Sequence, residues 1–216
     1  MDKLPEGIIR LTRLVHACIA VDDGESLLFV DPGEFGVPSN LSEATAVLVT
    51  HDHFDHVSHQ ALRELHAEHP QAAIYGPEAL QRNIDVPVTV VRDGDRFTVG
   101  DITVEVIGKW QDVANLNDAP IENVGYLIGG KLLHPGDAYP DGIRPDTAMV
   151  PLAAPWSKAT DMQSWLRKAR PHRVAAYHDV TLNDMGRDFG HKTLRGMAEE
   201  IGATLIDLEI GDSVLL

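Results

Sequence analysis

Residues 46–49, Ala-Val-Leu-Val, form a short uninterrupted apolar run, and the polarity changes abruptly at Thr50 into Thr-His-Asp-His-Phe-Asp-His-Val-Ser-His. A continuous apolar run of this length suits a strand buried on both faces. The chain leaving that strand carries three histidines and two aspartates within residues 51–56, so a loop at a strand end must hold a cluster of imidazoles and carboxylates. In extended backbone, side chains at i, i+2 and i+4 project to one side, so His51, His53 and Asp55 can converge while His56 reaches a neighbouring point. Imidazole and carboxylate are standard ligands of hydrolytic metals, and this arrangement suits two ions rather than one. Cys18 is the one cysteine, which rules out an internal disulfide and leaves His, Asp and Glu to hold any metal.

The rest of the chain alternates structure types. β-rich apolar runs occur at residues 8–15, 17–21, 27–30, 46–50, 88–91, 102–107, 124–128, 131–134, 148–152, 174–177 and 204–208. Helical spacing follows the cluster at Ala61, Leu62 and Leu65 and recurs over 161–169 and 192–201. Strand–helix alternation with hairpins in each half predicts an α/β fold of two sheets covered by helices. With 216 residues, 44% of them hydrophobic, and no linker-like stretch, residues 1–216 are expected to form a single domain.

The net charge of −15 comes from 33 acidic against 18 scattered basic residues, which argues against a nucleic-acid partner. There is no signal-like leader and no apolar stretch of membrane-spanning length, so the expectation is a soluble, cytoplasmic protein acting on a small molecule, with no membrane partner.

The run His-Asp-His-Phe-Asp-His resembles the His-x-His-x-Asp-His signature of the metallo-β-lactamase superfamily. Other segments agree with it in order: Asp31-Pro32-Gly33, His134-Pro135-Gly136-Asp137 and Ala176-Tyr177-His178-Asp179. The segments His16-Ala17-Cys18, Asn123-Val124-Gly125-Tyr126 and Ala154-Pro155-Trp156 resemble most the branch of metal-dependent hydrolases that includes ascorbate-6-phosphate lactonase. The resemblance implies a four-layer αββα sandwich holding one or two divalent ions, zinc or manganese. Carried over by motif, His51 and His53 would bind a first metal, Asp55, His56 and His178 a second, and Asp137 would bridge them. Asp55 would orient the attacking hydroxide or take its proton. The implied activity is metal-dependent hydrolysis of a small polar lactone, ester or phosphoester. The alternatives are a degenerate, non-catalytic metal-binding or ligand-sensing member, or a phosphodiesterase or nuclease.

One departure weakens the implied first position. The family carries a further histidine ligand where this chain has residues 108–118, Gly-Lys-Trp-Gln-Asp-Val-Ala-Asn-Leu-Asn-Asp; Gln111 aligns with it and offers only a neutral amide oxygen. His16, at a strand end, lines the pocket or is a buried hydrogen-bonded histidine. His134 is expected to pack beneath the Gly-Asp loop, His66 and His69 to lie on a solvated helix face, and Asp31 to fasten its turn through backbone hydrogen bonds. Trp110, Tyr126 and Trp156 are candidates for a pocket wall and Trp165 for the core. Lys109, Arg144 and Lys158 are candidates for holding a substrate anion.

Overall fold

The computed structural model describes residues 3–111, 113–115, 117 and 119–216. Asp112, Leu116 and Asp118, which belong to the segment aligned with the missing histidine, lie outside the described residues.

The first half supplies strands β1 (Arg10–Arg13), β2 (Ile19–Asp22), β3 (Leu27–Val30), β4 (Ala46–Leu48), β5 (Ala73–Gly76) and β6 (Thr89–Val90), with helices α1 (His59–Glu68) and α2 (Glu78–Asn83). The second supplies β7 (Arg96–Val99), β8 (Ile102–Ile107), the short pair β9 (Trp110–Gln111) and β10 (Ile121–Glu122), then β11 (Gly125–Ile128), β12 (Leu132–His134), β13 (Thr147–Pro151), α3 (Ala159–Ala169), β14 (Arg173–Tyr177), α4 (Asp184–Ile201), β15 (Thr204–Ile206) and β16 (Ser213–Leu215). One seven-stranded sheet runs β16-β1-β2-β3-β4-β5-β6 and the other β15-β14-β13-β12-β11-β8-β7.

Strand alternation decides how the layers stack. On β3, Leu28 and Val30 point into the cluster shared by both sheets, with Leu11, Val106, Tyr126 and Tyr177, while Phe29 points outward against Leu62, Leu65 and Leu80 of α1 and α2. The outer face of the second sheet, including Leu133, Ala148 and Val150, is covered by Trp165 and Leu166 of α3 and by Leu194 and Met197 of α4. Full burial of each such side chain contributes roughly 2 kcal/mol, so both faces of both sheets favour a cover. The result is the expected αββα order.

Helix α4 begins eight residues before the expected 192. Asn183 caps it, accepting from the Gly186 N–H at 2.9 Å, but residues 184–193 contain no buried side chain, so the apolar periodicity starts only at Leu194. Strands β5, β7 and β16 have no counterpart among the expected runs; they are short and lie toward the sheet edges. No helix among the described residues is long and apolar enough to cross a membrane.

The functional edge follows from topology. Parallel strands β3, β4, β12 and β14 bring Asp31, Thr50–His56, Asp137 and His178 off their C-terminal ends, and the β1–β2 turn adds His16.

Candidate metal centre

Asp31 anchors the site. It is fully buried, stands at φ 51°, and accepts from the Thr50 N–H and the Thr50 Oγ1–H, both at 2.7 Å. The expectation that it fastens a turn is too small: Asp31 Oδ2 also lies 2.7 Å from His56 Nδ1. A carboxylate only accepts, so His56 carries a proton on Nδ1 and directs Nε2 into the cluster. The Thr50 hydroxyl proton is committed to Asp31, which leaves its oxygen to accept from His51 Nδ1 at 3.0 Å and frees His51 Nε2 in the same way. His178, at φ 59°, donates from Nδ1 to the Ala153 carbonyl at 2.5 Å and directs its own Nε2 inward.

These nitrogens converge with Asp137. His56 Nε2 and His178 Nε2 are 3.1 Å apart, and Asp137 Oδ1 lies 3.1 Å from the first and 3.2 Å from the second. Despite that proximity, Asp137 Oδ1 is buried without a hydrogen bond of acceptable geometry. Three ligand atoms converge on one point, and the carboxylate oxygen among them is unpaired, as a cation held between them would require. His51, His56 and Asp137 place ligand atoms mutually within 4.8 Å, and so do His16, Asp55 and His178. His53 joins the first group, its Nδ1 lying 3.0 Å from His51 Nε2. The residues therefore suit one or two divalent ions. His56 belongs to both neighbourhoods, grouped with His51 and Asp137 and at the same time 3.1 Å from His178 Nε2.

In the metal-free protein the surrounding carboxylates favour protonation of two of these rings, His56 and His178. Burial disfavours charge on His56, but Asp137 and Asp31 on either side outweigh it and push the imidazole up to about 10. His178 rises to about 9, burial again being outweighed by the nearby carboxylates of Asp137 and Asp55. Burial alone would raise Asp137 and Asp55, yet the surrounding histidines hold both carboxyls below the usual carboxylate range. Burial lowers His51 and His16.

The remaining candidates separate. His16 is buried beside Asp55, 3.2 Å from Nε2 to Oδ2. Gln111 is buried on β9, and its amide oxygen has no hydrogen-bond partner among the described residues. His134 packs beneath the Gly-Asp loop, with Nε2 on the Ala17 carbonyl at 2.9 Å. The three aromatics do not share one wall. Trp156 donates to Asp137 Oδ2, Tyr126 is buried with its hydroxyl on the Val49 carbonyl at 2.8 Å, and Trp110 is exposed. Trp165 packs in the core, as expected. Lys109, Arg144 and Lys158 are all exposed, the first two lining separate grooves. Phe35 and Phe54 form an exposed aromatic rim, ring centroids 5.5 Å apart, with Phe35 edge-on to His16.

Sequence reasoning missed three supports: Thr50 as a relay to Asp31, Trp156 as a donor to Asp137, and Asp52. The Asp52 carboxylate accepts from His59 and Asn83, both at 2.6 Å, tying the cluster loop to α1 and α2. The Asp-Pro-Gly turn at a neighbouring strand end was the available signal for Asp31; Trp156 had none.

Comparison with known proteins agrees with this architecture. The family described as beta-lactamase superfamily domain matches residues 10–178. The chain is 31% identical over 179 residues to Protein Rv0786c of Mycobacterium tuberculosis, covering 80% of this chain and 84% of that one. It is 30% identical over 125 residues to a hydroxyacylglutathione hydrolase of Actinobacillus pleuropneumoniae, covering 55% of this chain and 48%, about half, of that enzyme. In fold it is similar to the metallo-beta-lactamase fold protein YhfI from Bacillus subtilis, with a TM-score of 0.74 at 15% identity over 97% of this chain and 99% of that one.

Proposed function

Because the chain belongs to the beta-lactamase superfamily, we propose that it is a metal-dependent hydrolase that opens a lactone, ester or phosphoester bond in a small polar substrate. Within that superfamily its motifs resemble most those of the ascorbate-6-phosphate lactonase-like branch, which is the branch we propose for it. The observation that carries this reading is the convergence of His56 Nε2, His178 Nε2 and the unpartnered Asp137 Oδ1 on one buried point. Similarity to a hydroxyacylglutathione hydrolase supports hydrolysis as the reaction class.

His51, His53, Asp55, His56, Asp137 and His178 would hold the ions, zinc or manganese. A divalent ion there supplies the Lewis acidity that polarises a scissile carbonyl or phosphoryl group and brings the pKa of water to about 7. The protein supplies the rest. Asp31 and the Ala153 carbonyl fix the imidazole tautomers, and Trp156 fixes the Asp137 carboxylate. Asp55 is held ionised with its side chain 18% exposed, so it accepts a hydrogen bond from the attacking water and orients it. Phe35, edge-on to His16, and Phe54 form an apolar rim at one side of the site. The substrate is a small molecule; the acidic chain does not bind nucleic acid, and it works in the cytoplasm as one domain.

A second reading, a non-catalytic metal-binding or ligand-sensing member, draws on Gln111 in place of an imidazole. Elemental analysis of protein purified without added metal, paired with a panel of lactones, esters and phosphoesters, separates the two. Hydrolysis lost on chelation and restored by zinc or manganese is the expected result. A fully loaded protein inert toward the whole panel would favour the second reading.

A further inference from the structure

His16 meets the distance requirement for a metal ligand, with its ligand atom within 4.8 Å of those of Asp55 and His178. Its hydrogen bonds argue for a different role. The Val180 backbone N–H donates to His16 Nδ1 at 3.4 Å, so in the neutral ring Nδ1 is bare and the proton resides on Nε2. That is the reverse of His56 and His178, whose Nδ1 atoms face oxygen acceptors, so that in their neutral rings Nε2 is the bare nitrogen. A ligand nitrogen must offer a lone pair, and His16 offers an N–H. Its Nε2 lies 3.2 Å from Asp55 Oδ2 with hydrogen-bond geometry.

The ring is held in that pose from several sides. His16 stands at φ 58° in the β1–β2 turn, and its carbonyl accepts from the His178 N–H at 3.0 Å. Its ring is tilted against the His178 ring, centroids 3.8 Å apart, and Phe35 meets it edge-on at 5.0 Å. The buried ion pair of Arg13 with Asp179, 2.7 Å, ties the end of β1 to the residue after His178. The two segments that carry His16 and His178 are thus tied to each other.

We propose that His16 is a positioning residue rather than a metal ligand: its Nε2–H donates to Asp55 Oδ2 and turns the Asp55 carboxylate so that its other oxygen faces the reacting water. This rests on the hydrolase reading for its consequence in catalysis, but the tautomer and the ligand count do not depend on any substrate.

The experiment has two independent readouts. Long-range proton–nitrogen spectra of zinc-loaded protein labelled with nitrogen-15 histidine should show His16 as the Nε2–H tautomer and His51, His56 and His178 as Nδ1–H. In parallel, His16→Leu and His16→Gln are compared with the parent by elemental analysis and kinetics. His16→Leu should keep the parent's metal content and lose about 10- to 100-fold in kcat with little change in KM, and His16→Gln, which restores an amide N–H, should recover most of the loss. An Nδ1–H tautomer at His16, or loss of an ion in folded His16→Leu, would overturn the proposal. If His16→Leu does not fold, the tautomer of the parent decides alone. If no substrate is found, the tautomer and the metal content still decide it, so failure of the hydrolase reading is told apart from failure of this one.

Discussion

Trp156 donates its indole Nε1–H to Asp137 Oδ2 at 2.8 Å, and that bond leaves Oδ1 as the oxygen facing His56 and His178. The carboxylate is thereby held in one rotamer by a side chain that is not itself a metal ligand. Replacing Trp156 with Phe keeps a ring in the pocket and deletes the donor. Groups that orient metal ligands are worth about 10- to 100-fold in affinity, so Trp156→Phe should lower metal affinity by that factor, read by competition with a coloured chelator. Parent-like affinity would mean that Asp137 is oriented by the packed loop alone.

Metal and protons compete for the same nitrogens, and the sign follows from the raised imidazoles. His56 and His178 titrate at about 10 and about 9 in the metal-free fold against about 6.5 in an unfolded chain. Their contribution to metal-free stability is present in full below about pH 6.5 and disappears as pH rises through 9 to 10. Metal requires the deprotonated rings, so its affinity rises over the same interval. Thermal melts of stripped and loaded protein should therefore diverge between pH 7 and pH 10. A gap that stays constant would show that protons do not occupy these positions.

Gly33 tests how tightly the first turn is pressed on the cluster. A Cβ there would lie 2.0 Å from the Asp55 backbone oxygen and 2.3 Å from its carbonyl carbon. Backbone cannot yield as a flexible side chain can, so Gly33→Ala should cost about 3 kcal/mol and displace Asp55. The control is Gly196→Ala, a mid-helix glycine in α4 with nothing within 4 Å, which should stabilise by roughly 0.5–1 kcal/mol. Urea titration of both variants, with metal content measured alongside, checks the pair. Equal stability of the two would refute the clash.

Much of this edge was legible before the fold. Val47 to Thr50 mark a buried strand end, and short-range spacing sufficed to place His51, His53, Asp55 and His56 on one loop. Asp137 and His178 came from motif resemblance, since strand pairing across the second sheet has no signature in local pattern. The ring tautomers were not legible, because they depend on which atom each Nδ1 meets: Asp31 for His56, the Ala153 carbonyl for His178, the Val180 N–H for His16. The first half of α4 was equally hidden. Met185 and Phe189 are exposed there, Gly186 and Gly190 lower helix propensity, and the helix is started by its Asn183 cap rather than by an apolar face.

Gln111 is where sequence and structure pose the sharpest question. Its side-chain oxygen is buried with no hydrogen-bond partner among the described residues, which costs about 1–3 kcal/mol unless something else coordinates it. If that oxygen completes the weaker metal position, Gln111→Leu should have opposite effects in the two states. The stripped protein should gain about 1 kcal/mol as an orphan acceptor is removed, while the loaded protein should lose part of its metal-dependent rise in Tm and bind fewer ions per chain. Gln111→His should raise affinity there and shift preference toward zinc, because imidazole is the softer and stronger donor. Elemental analysis and paired melts of parent, Gln111→Leu and Gln111→His read both effects. Two ions held with unchanged affinity in the parent and in Gln111→Leu would show that another group completes the site and that Gln111 does not stand at the missing histidine's place.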